Sequence, residues 1–492
     1  MKLRDLLSGV PILHLSGNDQ DEILGLAYSS KAVQLGFLFA ALKGEKQDGF
    51  DFADEACLKG AQAILSERPK PQNLATNWIH VADSREALAL CSANFYSHPS
   101  QKMKVVGITG TKGKTTITYL LEEILKKANI FPGVIGTISY RGPDWTVEAV
   151  RTTPEAPDLQ RMLKDMLERG LTHCLIEVSS HALDRKRVLG ISFDVAVFTN
   201  LSGEHLDYHH SMETYFEAKK NLFFMNNNKK RIAIVNTDDL WGKKLISELP
   251  MNTISYGLEP ESLVKGEKYK FNSTGIEVLV DYPGGVMSIS SPLLGKHNLY
   301  NILGSVAIAL ALNIPSSTIK EGIAVLQGVP GRFEKIENSL GLHIFVDYAH
   351  TDDALKNLLL TVRELKPARI ILVFGAGGDR DKSKRERMGE VAGNLADWIF
   401  LTSDNPRSED PLAIISDIEK GIKKTETKNY CILPDRQEAI EQALAFGKKG
   451  DYILVAGKGH ENYQILKDRT IPFHDATVIR TILKKIGASG KW

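Results

Sequence analysis

One stretch, "GITGTKGKTT" from Gly107 to Thr116, restricts what this chain can fold into more than any other. It follows an apolar run and precedes a helical pattern. Gly110, Thr111, Lys112, Gly113, Lys114 and Thr115 make a shortened phosphate loop, in which glycines leave backbone N–H groups bare for a polyphosphate to approach. On this reading Lys114 reaches the terminal phosphates and Thr115 offers its hydroxyl to Mg²⁺. A helix from Thr116 to about Lys127 points its partly positive N-terminus at the anion. Leu120, Leu121, Ile124 and Leu125 fall at helical spacing and support it. A plain glycine turn between strand and helix would not need the Lys-Thr pair at this end, so the stretch reads as a nucleotide site.

The length allows several cores. At roughly 150 residues per domain, the 492 residues predict about three domains. The first, residues 1–100, shows a strand at Phe37–Leu42, a Gly/Asp-rich turn, a helix at about Phe50–Lys59 and a second strand at Ala61–Leu65. The polar "SHPSQKMK" sets its end near Ser100. Residues 101–331 form the second, closed where Gly328, Pro330 and Gly331 interrupt a helical pattern. Residues 332–492 restart the strand–helix alternation.

Hydrophobic content of 43%, charged content of 25% and a net charge of +1 describe an ordinary globular protein with no global nucleic-acid signal. Cys57, Cys91, Cys174 and Cys431 have no metal-ligand spacing and read as free thiols in a reducing cytosol. The N-terminus lacks a sustained apolar region, and no run approaches the ~20 residues of a membrane span. The expectation is a cytoplasmic protein.

The central region holds an apolar strand, Cys174–Val178, with Glu177 near its carboxyl end, where a carboxylate can reach a metal beside the phosphate loop. Glu204, His205, Asp207, His209 and His210 crowd a later loop, but Mg²⁺ prefers oxygen ligands, so the histidines alone do not predict it. In the third region five apolar segments each end in a polar or glycine loop: "IFVDYAH", "RIILVFGAGGDRDKSKR", "DWIFLTSDNPR", "YCILPDR" and "YILVAGKGHE". As parallel strands they would put all five loops on one ligand-binding edge. The Gly375–Arg380 segment is not a dinucleotide fingerprint, since Arg380 takes the third glycine position. Two classes of function fit: a ligase that phosphorylates a carboxylate and passes it to an amine, or a phosphate-loop kinase or motor ATPase. A requirement for both an acid and an amine separates them.

Taken together, "GITGTKGKTT", "RTTPEAPDLQ", "IEVSSHALDRKRVLG", "FDVAVFTNLSGEHLDYHHSMETYFEAKKNLF", "GKHNLYNILGS", "VPGRFE", "VDYAH", "FGAGGDRDKSKRERMGE", "DNPRSEDP" and "GKGHENYQ" resemble the Mur ligases of the MurE type, in the family's order from about Ser29 to about Asp475. The resemblance implies an α/β fold of three domains. The first takes the UDP end of a precursor, the central one is a phosphate-loop ATPase with a mainly parallel sheet, and the C-terminal one is Rossmann-like and brings the amino acid. It implies ATP-driven joining of meso-2,6-diaminopimelate, or alternatively L-lysine or another diamino acid, to the D-Glu γ-carboxyl of UDP-MurNAc-L-Ala-D-Glu. The product would be a peptidoglycan precursor, made by a monomeric enzyme through an acyl phosphate.

Carried over residue by residue, the resemblance assigns ATP to Gly110, Thr111, Lys112, Gly113, Lys114, Thr115 and Thr116, with Asn298 and Asn301 on the adenine side. Arg332 and Asp347 would meet ATP from across the domain boundary, with His350 on the same loop as Asp347. Mg²⁺ falls to Thr115, Glu177, His205 and Lys219, the last carbamylated by CO₂; Lys114, Glu177, His205 and Lys219 form the catalytic set. The precursor falls to Ser29, Ser30, Thr152, Thr153, Ser179 and Arg187. Diaminopimelate falls to Arg380, Asp404, Asn405, Pro406, Arg407, Gly457 and Glu461, where the Arg407 guanidinium suits the distal carboxylate that lysine lacks. The chain departs from the family pattern in Ser29-Ser30-Lys31 for Asp-Ser-Arg, Glu204 for Asp, Asp352 for Pro, Ala376 for Cys and His474 for Asp.

Overall fold

A computed structural model describes residues 1–44, 47–225, 231–249, 252–272 and 274–489. The chain divides into two compact units, one of Met1–Lys265, Asp281–Gly285 and Asn301–Gly322, the other of Gly266–Val280, Val286–Tyr300 and Ile323–Trp492. The strands Val264–Asn272 and Gly275–Tyr282 and the helix Lys296–Ala311 are shared between the two. The fold is mixed α/β with three sheet-bearing regions, in keeping with the expected class.

Within the first unit, the N-terminal sheet runs in the order His14–Ser16, Asn77–His80, Ala63–Ser66, Phe37–Ala40, Gly25–Ala27, parallel except for the His14–Ser16 edge. Here the sequence boundaries shift slightly. Ala61 N–H is spent on closing the preceding helix onto Ala56 O, so the strand begins at Ala63 rather than Ala61. That helix is Ala53–Leu58, entered through a 3₁₀ turn at Gly49–Phe52 that Asp48 caps by accepting from Phe50 N at 3.0 Å. The first strand stops at Ala40, because Leu42 N–H turns back to Ala40 O. Of the Gly/Asp-rich turn, residues 45 and 46 lie outside the described residues.

A second, larger sheet runs, in this unit, Thr253–Gly257, Ile232–Asn236, Val195–Phe198, Lys104–Thr109, His173–Glu177, Gly133–Ile135, all parallel, and ends at one side in the antiparallel hairpin Ser139–Arg141 and Thr146–Glu148; at the other side Thr253–Gly257 pairs in parallel with the strand Val264–Asn272. Lys104–Thr109 sits at its centre and delivers the chain into the phosphate loop. The helix beyond begins at Lys114, two residues before the expected Thr116, because Gly113 at φ +90° ends the loop and puts Lys114 and Thr115 in the first turn. Leu120, Leu121, Ile124 and Leu125 are all fully buried, the apolar stripe the sequence predicts. The Glu177 strand is His173–Glu177, one residue earlier than expected at both ends, since His173 pairs with Lys104.

In the second unit five strands are parallel in the order His343–Asp347, Tyr452–Ala456, Ile370–Phe374, Trp398–Leu401, Tyr430–Ile432, with Glu334–Ile336 antiparallel at one edge. Strand Ile370–Phe374 shows why the segments read as continuous apolar runs. Ile370, Leu372 and Phe374 pack into a core with Leu355, Leu359 and Met388, while Ile371 and Val373 pack into another with Ile440, Leu444 and Ile479. Both faces are covered by helices, as a parallel sheet requires.

Candidate active site

In the first unit the phosphate loop closes on itself through its own carbonyls. Lys114 Nζ donates to Gly110 O at 2.8 Å and Thr111 O at 2.9 Å. Lys219 Nζ donates to the same Gly110 O at 2.8 Å, so two lysine side chains meet on one carbonyl. Gly110 holds φ +143°, and a Cβ there would lie 1.9 Å from Thr199 Oγ1, a position open only to glycine. Lys112 is pinned through its backbone: its N–H donates to Asn200 Oδ1 at 2.9 Å, and its carbonyl accepts from Thr199 Oγ1 at 2.6 Å. Asn301 stands against the loop, with Oδ1 2.4 Å from where a Gly113 Cβ would be.

Lys219 rides on the helix Met212–Phe224, started by a Ser211/Thr214 capping box. Its amine is buried, lies 4.5 Å from the Tyr215 ring centroid, and is pushed well below the usual lysine range by burial and then by Lys114, with Glu204 opposing. A lysine so placed favours its neutral form. Such an amine can attack CO₂ as an ammonium cannot.

Glu177, also buried, accepts from the Thr115 hydroxyl at 2.9 Å and from the Thr137 hydroxyl at 2.7 Å through Oε2, and from Thr137 N–H at 3.2 Å through Oε1. Thr137 Oγ1 also lies 3.1 Å from Thr152 Oγ1. Thr153 Oγ1 donates to Glu177 O at 2.8 Å and accepts from Ser179 N–H at 3.1 Å. Arg187 donates to Thr153 O at 3.0 Å and pairs with Glu155 at 2.9 Å. The expected precursor residues Thr152, Thr153, Ser179 and Arg187 therefore join the expected metal residues Thr115 and Glu177 in one contiguous cluster. Thr137 belongs to it without a signal in the sequence, since nothing in "GTISY" distinguishes a bridging threonine from a strand threonine.

His205 enters the short helix Leu206–His209 at φ +58°. Its ring lies edge-on to His181 at 4.9 Å and to Tyr215 at 6.2 Å, and burial holds it below the usual histidine range. Among the described residues no group of three or more His, Cys, Asp or Glu gathers to hold a metal by itself. The Thr115 hydroxyl and Glu177 carboxylate still fit Mg²⁺, which takes one or two protein oxygens and fills its shell with phosphate and water. Ser29 and Ser30 are set apart in the N-terminal sheet region, where Ser30 Oγ donates to Glu55 at 3.0 Å.

In the second unit, Asp347 accepts Phe333 N–H at 2.7 Å and Ala349 N–H at 2.8 Å, which fixes its carboxylate at the strand end. Arg332 lies 4.7 Å over the Tyr348 ring. His350 Nδ1 is 2.8 Å from Tyr348 O. Asn298, in the first turn of its helix, donates to Leu294 O at 2.8 Å. The seven candidates for the amino acid sit on three loops after adjacent strands. Arg407 Nη1 is 2.9 Å, and Arg380 Cγ 3.8 Å, from where a Gly377 Cβ would be, so both arginines flank one glycine. Arg407 Nη1 donates to Gly378 O at 2.8 Å. Asn405 Nδ2 donates to Glu461 Oε2 at 2.8 Å, and Gln464 Nε2 donates to Asp404 O at 2.7 Å. Gly457 at φ +114° allows close approach, since a Cβ there would meet Asp404 Oδ2 at 2.5 Å. Pro406 stacks its carbonyl onto Gly378, 1.9 Å from where a Cβ would be. Lys458, buried between Gly457 and Glu461, is a functional candidate that the sequence does not single out, although it lies inside the "GKGHENYQ" motif.

Family models match the chain as a Mur ligase family catalytic domain over residues 22–96, a Mur ligase middle domain over 108–309 and a Mur ligase glutamate ligase domain over 331–459. A protein of Solibacter usitatus named UDP-N-acetylmuramoyl-L-alanyl-D-glutamate--2,6-diaminopimelate ligase is 43% identical over 490 residues, 99% of each chain. One of the same name from Geobacter metallireducens is 42% identical over 510 aligned residues, 100% of each. A solved structure titled as that same ligase superposes with a TM-score of 0.71 at 29% identity, over 99% of each chain. MurF of Thermotoga maritima in complex with ADP superposes at 0.63 and 21% identity, over 95% of this chain and 98% of that one, which speaks for the fold.

Proposed function

The chain belongs to the Mur ligase family, and on that premise we propose that it joins meso-2,6-diaminopimelate to the D-Glu γ-carboxyl of UDP-MurNAc-L-Ala-D-Glu, converting ATP to ADP and phosphate. The observation that carries this reading is the meeting of Lys114 and Lys219 on Gly110 O beside the Thr115–Glu177 pair. It sets cationic and oxygen groups where a phosphoryl group would be transferred.

A carboxylate is a poor electrophile. One of its oxygens attacks the γ-phosphorus of ATP, the bond to ADP breaks, and the acyl phosphate so formed carries a good leaving group. The diaminopimelate amine then attacks the acyl carbon, phosphate departs, and the amine proton is lost to a base. Lys114 follows the phosphoryl charge as it develops, and the bare loop amides receive the phosphates without reorganising. Thr115, Glu177 and His205 would hold Mg²⁺, with Lys219 as its carbamate, formed when the neutral amine adds to CO₂ and releases a proton. When bound there, the metal would supply Lewis-acid stabilisation of phosphate charge. The carbamate would put an anion where a desolvated amine otherwise stands, which gives Lys219 its reason to be buried.

Thr152, Thr153, Ser179 and Arg187 orient the peptide end of the precursor, and the region 1–100, with Ser29 and Ser30, takes the uridine end. Asn298 and Asn301 serve the adenine, and Arg332 and Asp347 the ATP. Residues 101–331 would carry most of the nucleotide work and 332–492 the amino-acid work, with Arg332 and Asp347 of the latter region also serving ATP. No helix among the described residues is long and apolar enough to cross a membrane, and we place the reaction in the cytoplasm with a monomeric enzyme.

Isotope transfer tests the reaction. With ¹⁸O in the D-Glu γ-carboxyl, one label should appear in the released phosphate, only when diaminopimelate is present to complete turnover. Unlabelled phosphate would reject the acyl-phosphate route and leave a kinase or ATPase.

A further inference from the structure

Lys458 touches two residues given above to the amino acid, yet no step described so far uses it. Its side chain is fully buried just beyond strand Tyr452–Ala456. Nζ donates to Glu461 Oε2 at 2.9 Å and Asn405 Oδ1 at 3.2 Å, and lies 5.6 Å from the Tyr463 ring centroid. Asn405 Oδ1 also accepts Ile465 N–H at 2.9 Å, and Asn405 Nδ2 donates to Glu461 at 2.8 Å.

These partners permit the buried amide a single orientation. Turned over, its NH₂ would face an ammonium and an N–H, and its oxygen would face a carboxylate, opposing like groups at every contact. With two donors on Oδ1, both lone pairs are occupied. What Asn405 has left for a ligand is the second Nδ2–H, a donor. Lys458 meanwhile offsets the Glu461 charge, which alone would draw in a cation.

We propose that Lys458 is a positioning residue that determines specificity: by occupying Asn405 Oδ1 and offsetting Glu461, it sets this edge to accept an amino acid ending in a carboxylate and to refuse one ending in an ammonium. The inference rests on the assignment of Asn405 and Glu461 to the amino-acid substrate.

The test is steady-state kinetics of the full-length enzyme with saturating ATP and dipeptide precursor. Lys458→Met should raise KM for meso-diaminopimelate about tenfold or more, leave KM for ATP unchanged, and lower the preference for meso-diaminopimelate over L-lysine. In an Asn405→Ala, Glu461→Gln background the same change should add less than about threefold, because both its targets are gone. A merely structural lysine would cost the same in both backgrounds, and that result, or an unchanged KM and preference in the folded single variant, overturns the proposal. If Lys458→Met does not fold, Asn405→Asp decides the matter: replacing the remaining donor by a carboxylate should raise KM for meso-diaminopimelate about a hundredfold, and an unchanged KM overturns the proposal equally. Wild-type enzyme with no turnover dependent on meso-diaminopimelate would instead remove the functional reading, and this proposal with it.

Discussion

On the proposed reading the phosphate loop offers Gly110 to Thr116 in one unbroken stretch, largely as backbone, whereas the proposed amino-acid edge draws Arg380, Asn405, Arg407 and Glu461 from three loops after separate strands. On that reading, selectivity in the loop resides in what is absent, side chains at Gly110 and Gly113, and Lys114 supplies the positive charge. At the edge, selectivity would reside in side chains held by other side chains. Arg385 donates to Glu409 at 2.8 and 3.0 Å, to Asp417 at 3.2 Å and to Gly377 O at 3.2 Å, and Glu409 accepts Asp379 N–H at 2.6 Å. One buried guanidinium thus ties the loop of Arg380 to that of Arg407. The two regions should therefore fail differently: the loop loses chemistry when a single charge is removed, while the edge loses discrimination and a little stability.

The largest effect is expected at Lys114. Lys114→Ala should lower kcat by about 10²–10³ or more, the scale for removing a group aimed at developing charge, with an unchanged circular dichroism spectrum. Near-normal turnover would break the contrast at once. Next comes Lys219→Ala, expected to cost on the order of a hundredfold, with partial rescue by a short-chain carboxylic acid that fills the place of the carbamate. Full activity of the alanine variant in CO₂-depleted buffer would rule out the modification.

The smallest effect is expected at Glu409, whose hydrogen bonds from Arg385 hold its carboxyl down to about 2 from an ordinary 4.5. A carboxylate lowered on folding contributes stability above its unfolded pKa and loses it as pH falls through the folded value. Glu409→Gln should thus lower Tm by about 1–2 °C at pH 7, and the gap to wild type should narrow from about pH 4.5 down to 2. A gap constant over that range would mean that the ion pair is not its source.

The same contrast governs what the sequence makes legible. The phosphate loop is legible because its mechanism lies in local backbone conformation and adjacent residues. The five parallel strands of the second unit are legible because burial on both faces leaves an uninterrupted apolar run, as in Ile370–Phe374. Lys219 is legible only through resemblance. Taken alone, "EAKKNLF" offers two neighbouring helix lysines, and only packing against Tyr215 and Gly110 O separates the buried Lys219 from Lys220, which pairs with Glu217 and Glu248. Thr137 and Lys458 are not legible, since each matters through a partner distant in the chain: Glu177, 40 residues on, for one, and Asn405, 53 residues back, for the other. The shifts at Lys114, Ala63 and His173 all trace to single caps or register pairs, which propensity does not encode.

The central claim is tested most directly by phosphate release from the purified enzyme with ATP and UDP-MurNAc-L-Ala-D-Glu, run in parallel with meso-diaminopimelate, L-lysine and L-ornithine, for wild type and Arg407→Ala. Release should require both the precursor and an amine, kcat/KM should favour meso-diaminopimelate over L-lysine by at least about a hundredfold, and Arg407→Ala should erase most of that preference with little change in KM for ATP. Release without an amine would contradict the ligase, and equal use of L-lysine by the wild type would contradict the carboxylate-reading edge.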